Sequence, residues 1–490
     1  MPTSEPDRRP RAESAGCREE AGESPREGPW ENPGGATASR VADYVAADCD
    51  PPGVEIEYRD DDGRRSRRLY GCVPIERTFD RPAARSAIRC FPVDPDEGTF
   101  TVALEAVEDL TGVDLPKDVF REVAGSASGV ALGLRRFAAC APEDVPLPPV
   151  IGLLEGAVGD DVIGGESDSA EACGDDEVVT RRALAALSTL AAARPAEATA
   201  AIPVLRQLLA RGDANGDGDR ITTWKALETI RLIAASDPGA VAPMVDDLVP
   251  YLDASPGRHA REAARALGDV AAGSPTDVSQ AVPALAGLVE EDQTGQAYAA
   301  YALSQVSREN PAAIEPVAPV LGQAVVDDSR SVNTRLSAAA AFGRTVGERP
   351  AIGVEFVEDL VALFGADDHR LRNNAVGIVG DVARTHTDVV EPYVADLAPL
   401  LAADDDFTRV NASGAISRVA EDFPDSVSHL SGRFATLLDD EESLVRLNAC
   451  WALGYLEADG AVEALADVAH EDDDQAVRNR AAWAHARIRS

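Results

Sequence analysis

Between residues 371 and 454 one pattern of apolar and polar positions is written three times. Leu371-Arg372-Asn373-Asn374-Ala375 leads to Val379-Gly380, Thr408-Arg409-Val410-Asn411-Ala412 to Ile416-Ser417, and Val445-Arg446-Leu447-Asn448-Ala449 to Leu453-Gly454. The anchors Val379, Ile416 and Leu453 stand 37 residues apart. The beat runs back through Phe342, Leu303, Leu267, Ile230 and Leu187 at gaps of 37, 39, 36, 37 and 43, and forward to His485 after 32, which predicts nine first helices. In each, small or apolar side chains recur three and four positions apart, as in Ala449, Ala452, Leu453 and Leu456 or Ala338, Ala341, Phe342 and Val346. Such a stripe faces neighbouring helices, and the alanines permit close approach.

Between the anchors a second apolar run begins beside Pro203, Pro243, Pro283, Pro316 or Pro392. Proline in the first helical turn loses no hydrogen bond, because that amide is free in any case. Each unit therefore reads as helix, short turn, helix, acidic turn. A period of this length marks helix pairs that bury their apolar faces only against their neighbours. The predicted fold for residues 178–490 is an all-α superhelical solenoid of antiparallel helix pairs, closed by a C-terminal capping helix.

The preceding chain follows other rules. Residues 1–37 are rich in Pro, Glu, Gly, Ser and Arg, with Trp30 as their only large apolar side chain, and predict a disordered tail. Residues 38–112 predict a small α/β or β element: Val54-Glu55-Ile56-Glu57-Tyr58 alternates, Asp60-Asp61-Asp62-Gly63 turns, and Arg68 to Val73 returns. Ile88 to Val93 and Thr99 to Leu104 add two further strands, with Asp94 to Gly98 as the turn between them. This element is the natural cap for the first helix pair, since a solenoid must cover its end face. A helix is expected between Leu104 and Val119, a degenerate helical pair within residues 113–158, and an exposed acidic loop over residues 159–177. Arg59, Arg64, Arg65, Arg67 and Arg68 form the densest basic cluster, suited to an acidic surface or to pairing with Asp60, Asp61 and Asp62 across the hairpin.

Arg335, Arg372, Arg409, Arg446 and Arg478 each follow an acidic turn, the last three after Asp404 to Asp406, Asp439-Asp440 and Asp472 to Asp474. Aspartate at a helix N-terminus caps it and complements its dipole, while arginine one turn in reaches a carboxylate of its own or the adjacent turn. Repeated in every unit, this makes a structural ladder. Catalysis needs one converging site, and five equivalent arginines do not make one. Asn374, Asn411, Asn448 and Asn479 require partners of their own, either turns between units or the backbone of a bound peptide.

These repeats resemble the HEAT family over residues 178–490, with a weaker extension to about residue 128. The V-R-x-x-A-x-x-A-L-G form stands almost whole in Val445-Arg446-Leu447-Asn448-Ala449-Cys450-Trp451-Ala452-Leu453-Gly454. The asparagines add a slight likeness to armadillo repeats, although a third short helix has little room. The resemblance implies a curved scaffold that binds proteins, and occasionally nucleic acids, often on a concave face made by second helices. It is specific for architecture and weak for function.

Composition changes the picture in one respect. The formal net charge is -39, and Lys117 and Lys225 are the only lysines. Acid surplus with alanine-rich helices and almost no lysine resembles proteins of extreme halophiles. Such a surface cannot supply the phosphate-neutralising contacts of nucleic-acid binding, so nucleic acid is disfavoured as a ligand. Seven cysteines without a C-x-x-C pair suggest reduced thiols and a cytoplasmic location. No secretory signal or membrane span is expected.

Chemistry is sparse. Six histidines form no H-E-x-x-H pattern, and Walker, G-x-S-x-G and G-x-G-x-x-G motifs are absent from the sequence. The excess length between Leu187 and Ile230 falls at Asp213, Asn215, Asp217 and Asp219, with Gly218 at the sixth position, like the front of an EF-hand loop. Arg220 and Trp224 occupy the eighth and twelfth positions, where an apolar residue and a bidentate glutamate belong, with Glu228 as a distant substitute. A calcium clip and a plain acidic turn both fit, and no other cofactor is expected.

The expected function is a non-catalytic protein-interaction scaffold whose second helices, from Pro203 to Val468, read an extended segment or helix of a protein partner. Asp246, Tyr251, Glu391, Tyr393 and Asp396 are the candidate contacts, the tyrosines first because aromatic side chains are enriched at interface hot spots. The alternatives are a nucleic-acid-associated repeat protein, which needs an arginine-lined groove, and a lyase-type repeat enzyme, which needs converging carboxylate and histidine or cysteine. The charge yields one prediction. Lowering salt from molar to about 0.1 M lengthens the Debye screening distance from about 3 to 10 Å, so the melting temperature is expected to fall on dialysis; an unchanged value would show that carboxylate repulsion does not limit stability.

Overall fold

The computed structural model describes residues 52–60, 62–75, 87–94, 97–103, 106–114, 127–140, 142–143, 145, 147–159, 170–214, 220–253, 257–290 and 295–490. The predicted tail with Trp30 lies outside these residues, as do Asn215, Asp217 and Asp219 of the candidate calcium loop. The chain divides into two compact units, Met1–Thr229 and Ile230–Ser490. Helices longer than ten residues are numbered below, and shorter ones are given by their ranges.

Unit 1 opens with an antiparallel sheet of β1 (Pro52–Asp60), β2 (Gly63–Ile75), β3 (Ala87–Pro92), β4 (Phe100–Ala103) and β5 (Val107–Asp114), in the order β4-β3-β2-β1-β5. The β1–β2 hairpin pairs Asp60 with Gly63, whose φ of 126° is one that a side chain disfavours. Alternation puts Ile56, Leu69, Cys90 and Val102 on one buried face. The helix expected between Leu104 and Val119 is strand β5 where it is described. It pairs with β1 from Pro52↔Asp114 to Tyr58↔Val107, giving β1 a second partner. Tertiary pairing outweighs local propensity here, because an edge strand gains a full hydrogen-bonded ladder.

The sheet rests on α1 (Ala127–Cys140) through Arg136, which is 5% exposed. Its guanidinium donates to the carbonyls of Pro92, of Asp94 at 3.2 Å and of Glu97 at 2.9 Å. Helices α1 and α2 (Leu147–Gly159) both pack on α3 (Ala170–Ala193), which is followed by α4 (Ile202–Ala214) and α5 (Arg220–Ser236). Since α3 opens at Ala170, residues 170–177 are helical rather than part of the predicted acidic loop. Their two alanines and two glutamates favour a helix.

In unit 2 the first helices are α6 (Arg258–Gly273), α7 (Gln296–Glu309), α8 (Val332–Glu348), α9 (His369–Val382), α10 (Asp406–Asp422), α11 (Ser443–Tyr455) and α12 (Gln475–Ile488), each packed on the next. The anchors Leu267, Leu303, Phe342, Val379, Ile416 and Leu453 are fully buried, whereas His485 on α12 is only half-buried. Glycines set how closely these helices approach. A Cβ on Gly268 would lie 3.0 Å from the ring of Tyr301, and one on Gly343 would lie 3.2 Å from Ile378. On Gly454 it would collide with Trp483.

The second layer departs from expectation. Val282–Glu290, Ala318–Val326 and Val462–Glu471 are continuous, but other second elements are strings of short pieces such as Pro238–Val241, Ala242–Met244, Val245–Leu248 and Pro250–Asp253. Proline explains the breaks. Several first helices end at a residue held near φ −136°, ψ 81°, as at Asp237, or φ −136°, ψ 69°, as at Asn310, each followed by proline. Proline excludes the α region for its predecessor. The side chains of Asp237 and Asn310 then accept from Ala240 N at 3.1 Å and Ala313 N at 3.2 Å. Pro243, Pro316 and Pro392 stand second in three-residue 3-10 helices, whereas Pro203 and Pro283 stand second in α-helices.

Leu453→Ala is expected to cost about 2–5 kcal/mol, because it leaves a cavity between first helices. Gly454→Ala should cost about 1–3 kcal/mol through overpacking and shift the tryptophan fluorescence by displacing Trp483. Gly460, with open space around its α-carbon, is the control. Equal melting temperatures for Gly454→Ala and Gly460→Ala would refute the close approach.

Candidate interaction surface

Two columns of polar side chains run along the first helices of unit 2. The first holds the predicted arginines. Arg335 donates to Val325 O at 2.9 Å, Arg372 to Ala366 O at 2.8 Å, Arg409 to Ala403 O at 2.9 Å, Arg446 to Asp440 O at 2.8 Å, and Arg478 to Asp472 O. Each thereby closes the acidic turn before its own helix. Two reach further. Arg409 grips Asp440 at 2.8 and 3.1 Å, and Arg446 grips Asp472 at 2.7 and 3.0 Å, both two-pronged. The residues 37 positions before Asp440 and 74 before it are Ala403 and Ala366, so Arg372 and Arg335 meet no carboxylate at the corresponding place.

The carboxylates at the two complete rungs respond. Hydrogen bonding from Arg446 is the main force holding Asp472 below the usual aspartate range, against partial burial. Burial pushes Asp440 the other way, and the Arg409 fork with the Glu442 N–H outweighs it, leaving Asp440 lowered.

The second column escaped the sequence reading, although register would have exposed it. Two residues after successive anchors stand Asp269, Gln305, Arg344, Asp381, Arg418, Tyr455 and Arg487. Arg344 donates to Ser304 O at 3.0 Å and Ser307 Oγ at 2.9 Å, and Arg487 Nε to Gly454 O at 3.0 Å, each reaching back to the preceding first helix. Burial raises Asp381, opposed by Arg384 and Arg418, and lowers Arg418, opposed by Asp381. Burial also raises Tyr455 to about 12, helped by a hydrogen bond to Glu421.

Two of the asparagines, Asn411 and Asn448, bridge helices rather than turns. Asn411 donates to Asn373 O at 3.3 Å, and Asn448 to Val410 O at 3.2 Å and Ser413 Oγ at 3.1 Å. Their amides lie over Gly377 and Gly414. Asn479 accepts from Gln475 at 2.9 Å. In unit 1, Arg65 pairs with Asp60 and Asp62 at 3.0 Å, Arg64 with Glu57, and Arg67 with Glu97 at 3.0 Å, so much of the basic cluster is satisfied around its own hairpin.

Among the described residues, reactive groups do not converge. Cys450 is fully buried, and burial, with a smaller push from Asp472, raises its thiol to about 12. The six histidines fall on separate elements. Among the described residues no group of three or more His, Cys, Asp or Glu could hold a metal ion. Glu228, the distant substitute in the calcium reading, accepts from Lys225 and, at 2.9 Å, from Ser188. The backbone of Asp213 belongs to the last turn of α4. No described helix is long and apolar enough to cross a membrane.

The proposed contact residues separate. Asp246 and Asp396 are exposed, Tyr393 is half-buried, and half-buried Glu391 accepts from Ser426. Tyr251 is 5% exposed, so it belongs to the interior and cannot serve as an exposed contact. It stands second in Pro250–Asp253 and continues, at helical spacing, the buried stripe of Val241, Met244, Val245 and Leu248. Phe407 on α10, 74% exposed, and Tyr298 and Tyr301 on α7, 37% and 39% exposed, are aromatic side chains that do reach the surface.

Residues 430–490 match the HEAT repeats family. No curated protein matches the chain in sequence. Among solved structures, UNC-45 from Drosophila melanogaster is similar, with a TM-score of 0.52 and 14% identity over 76% of this chain and 57% of that one. The chain thus spans a little over half the length of the UNC-45 chain it matches. A chain from a structure of the conserved phosphorylation switch that controls the interaction between cadherin and beta-catenin aligns over 76% of this chain and 94% of its own, at 12% identity and a TM-score of 0.49. Identities this low define fold and not activity. The fold is an all-α solenoid of HEAT-like helix pairs with a small N-terminal antiparallel sheet.

The two rungs predict an acid response. A carboxylate lowered in the folded state contributes stability that is fully present above its unfolded value, about 3.9, and is lost as pH falls through the folded value. Asp440 and Asp472 should therefore lose their contribution below about pH 4. Arg446→Gln is expected to lower stability by about 1.5–3 kcal/mol at neutral pH and to flatten the acid slope. A parallel slope in chemical denaturation of the variant would show that the rung is not coupled to folding.

Proposed function

We propose that the protein is a non-catalytic interaction scaffold that presents the second helices of unit 2 to a protein partner. The observation that carries this reading is where the polar groups of the first helices go. Their arginines and asparagines are spent between successive pairs, and their apolar anchors are buried, so the repeat leaves its second-helix face for contact. Exposed Asp246 and Asp396, with half-buried Tyr393 beside the latter, suit an extended or helical segment carrying basic side chains.

The same expenditure argues against nucleic acid. Arg231, Arg261 and Arg265 surround the buried carboxylate of Glu262, and Arg330 and Arg349 pair with Asp327 and Glu315, so these guanidinium groups do not make a phosphate-tracking stripe. A lyase-type reading would need a nucleophile or general base facing a cleft, and Cys450 is held away from thiolate chemistry by burial.

Affinity capture in molar salt tests the reading. The full chain is expected to recover a protein partner, and Tyr393→Ala combined with Asp396→Lys should weaken its binding about tenfold or more, the scale of one interface hot spot. Unchanged circular dichroism would separate this from misfolding. Recovery of no partner would overturn the scaffold, and binding insensitive to both substitutions would overturn the second-helix face.

A further inference from the structure

In unit 1 a cavity of about 600 Å³ opens between the sheet and the helices, bounded by β3, the β3–β4 turn, α1, α3 and α5. Among the described residues that line it are Arg135, Arg136, Arg182 and Lys225, against the single carboxylate of Glu97. The chain as a whole has the opposite bias, 85 acidic side chains to 46 basic ones, and only two lysines. A cationic recess in so acidic a protein is not what composition alone would place there.

The cations are held in place by their surroundings. Arg136 is nearly buried and anchored to the carbonyls of Asp94 and Glu97. Arg182 donates to Ser128 O at 2.9 Å and Ser128 Oγ at 2.7 Å. Lys225 pairs with Glu228, which Ser188 also holds at 2.9 Å. The carboxylate of Glu97 is occupied by Arg67 at 3.0 Å. Arg135 is exposed on α1, and Thr99 and Thr189 add hydroxyl groups. Phe91 and Leu132 supply an apolar wall.

We propose that this cavity binds a small organic phosphate, the anionic group among the guanidinium and ammonium groups and the organic body against Phe91 and Leu132. The planar guanidinium fork matches phosphate oxygens, several cations together answer a dianion better than a single carboxylate, and the volume lies within the range of small-molecule sites. A recess whose described lining carries four cations to one carboxylate also focuses its field on an entering anion. The proposal is independent of the scaffold reading, since it concerns unit 1 alone.

Calorimetric titration of the full chain in molar potassium chloride tests it, with phenyl phosphate, inorganic phosphate and benzoate as probes. Phenyl phosphate is expected to bind saturably and more tightly than inorganic phosphate, with benzoate at least about tenfold weaker than phenyl phosphate. Arg135→Gln should weaken phenyl phosphate by about tenfold without moving the melting temperature of the ligand-free protein. Lys225→Gln should do the same to binding, and Lys225→Arg should restore it. No saturable heat with either phosphate, or affinity unchanged in both Arg135→Gln and Lys225→Gln, would overturn the assignment. Binding of a phosphoserine peptide but not of phenyl phosphate would overturn the small-molecule ligand.

Discussion

The contact between one first helix and the next is the constraint on which unit 2 depends. No helix pair of this kind has enough apolar surface to form an interior alone, so every anchor from Leu267 to Leu453 is buried only because a neighbour lies against it. The distance is set by absence. Glycines 268, 343 and 454 leave room that Tyr301, Ile378 and Trp483 fill, so a single methyl group is a significant volume at these positions.

Close approach brings polar groups together as well, and arginine resolves the conflict. A guanidinium at the head of each of the last five first helices satisfies turn carbonyls left over by the preceding element, and at Asp440 and Asp472 it also neutralises a carboxylate of the next turn. Lysine, a point charge on a flexible stem, cannot bridge two acceptors in fixed directions. The near absence of lysine thus agrees with the structural work assigned to the basic residues, whatever solvent the protein inhabits.

The period was legible because it is written in apolar anchors, and burial in a repeat falls where the anchors fall. The arginine heads were legible for the same reason, since they keep register with the anchors. The column two residues beyond the anchors mixes aspartate, glutamine, arginine and tyrosine, and its common role is hidden by changing chemistry. The strand Val107–Asp114 could not be told from a helix locally, because its identity comes from β1 lying beside it. Tyr251 misled because its aromatic character was weighed without its register: it stands three residues after Leu248 on the buried stripe of Val241, Met244 and Val245. The cationic recess gave no local sign, since its members lie as far apart as Glu97 and Lys225 in the sequence.

The incomplete rungs bear on how the fold comes apart. In a one-dimensional array each interface carries its own coupling energy, and melting proceeds from the weakest joint. Alanines 366 and 403 leave the middle joints without the ionic clasp that Asp440 and Asp472 give the last two. Unit 2 is therefore a chain of unequal links, so that its stability is a profile along the polypeptide and not a single figure.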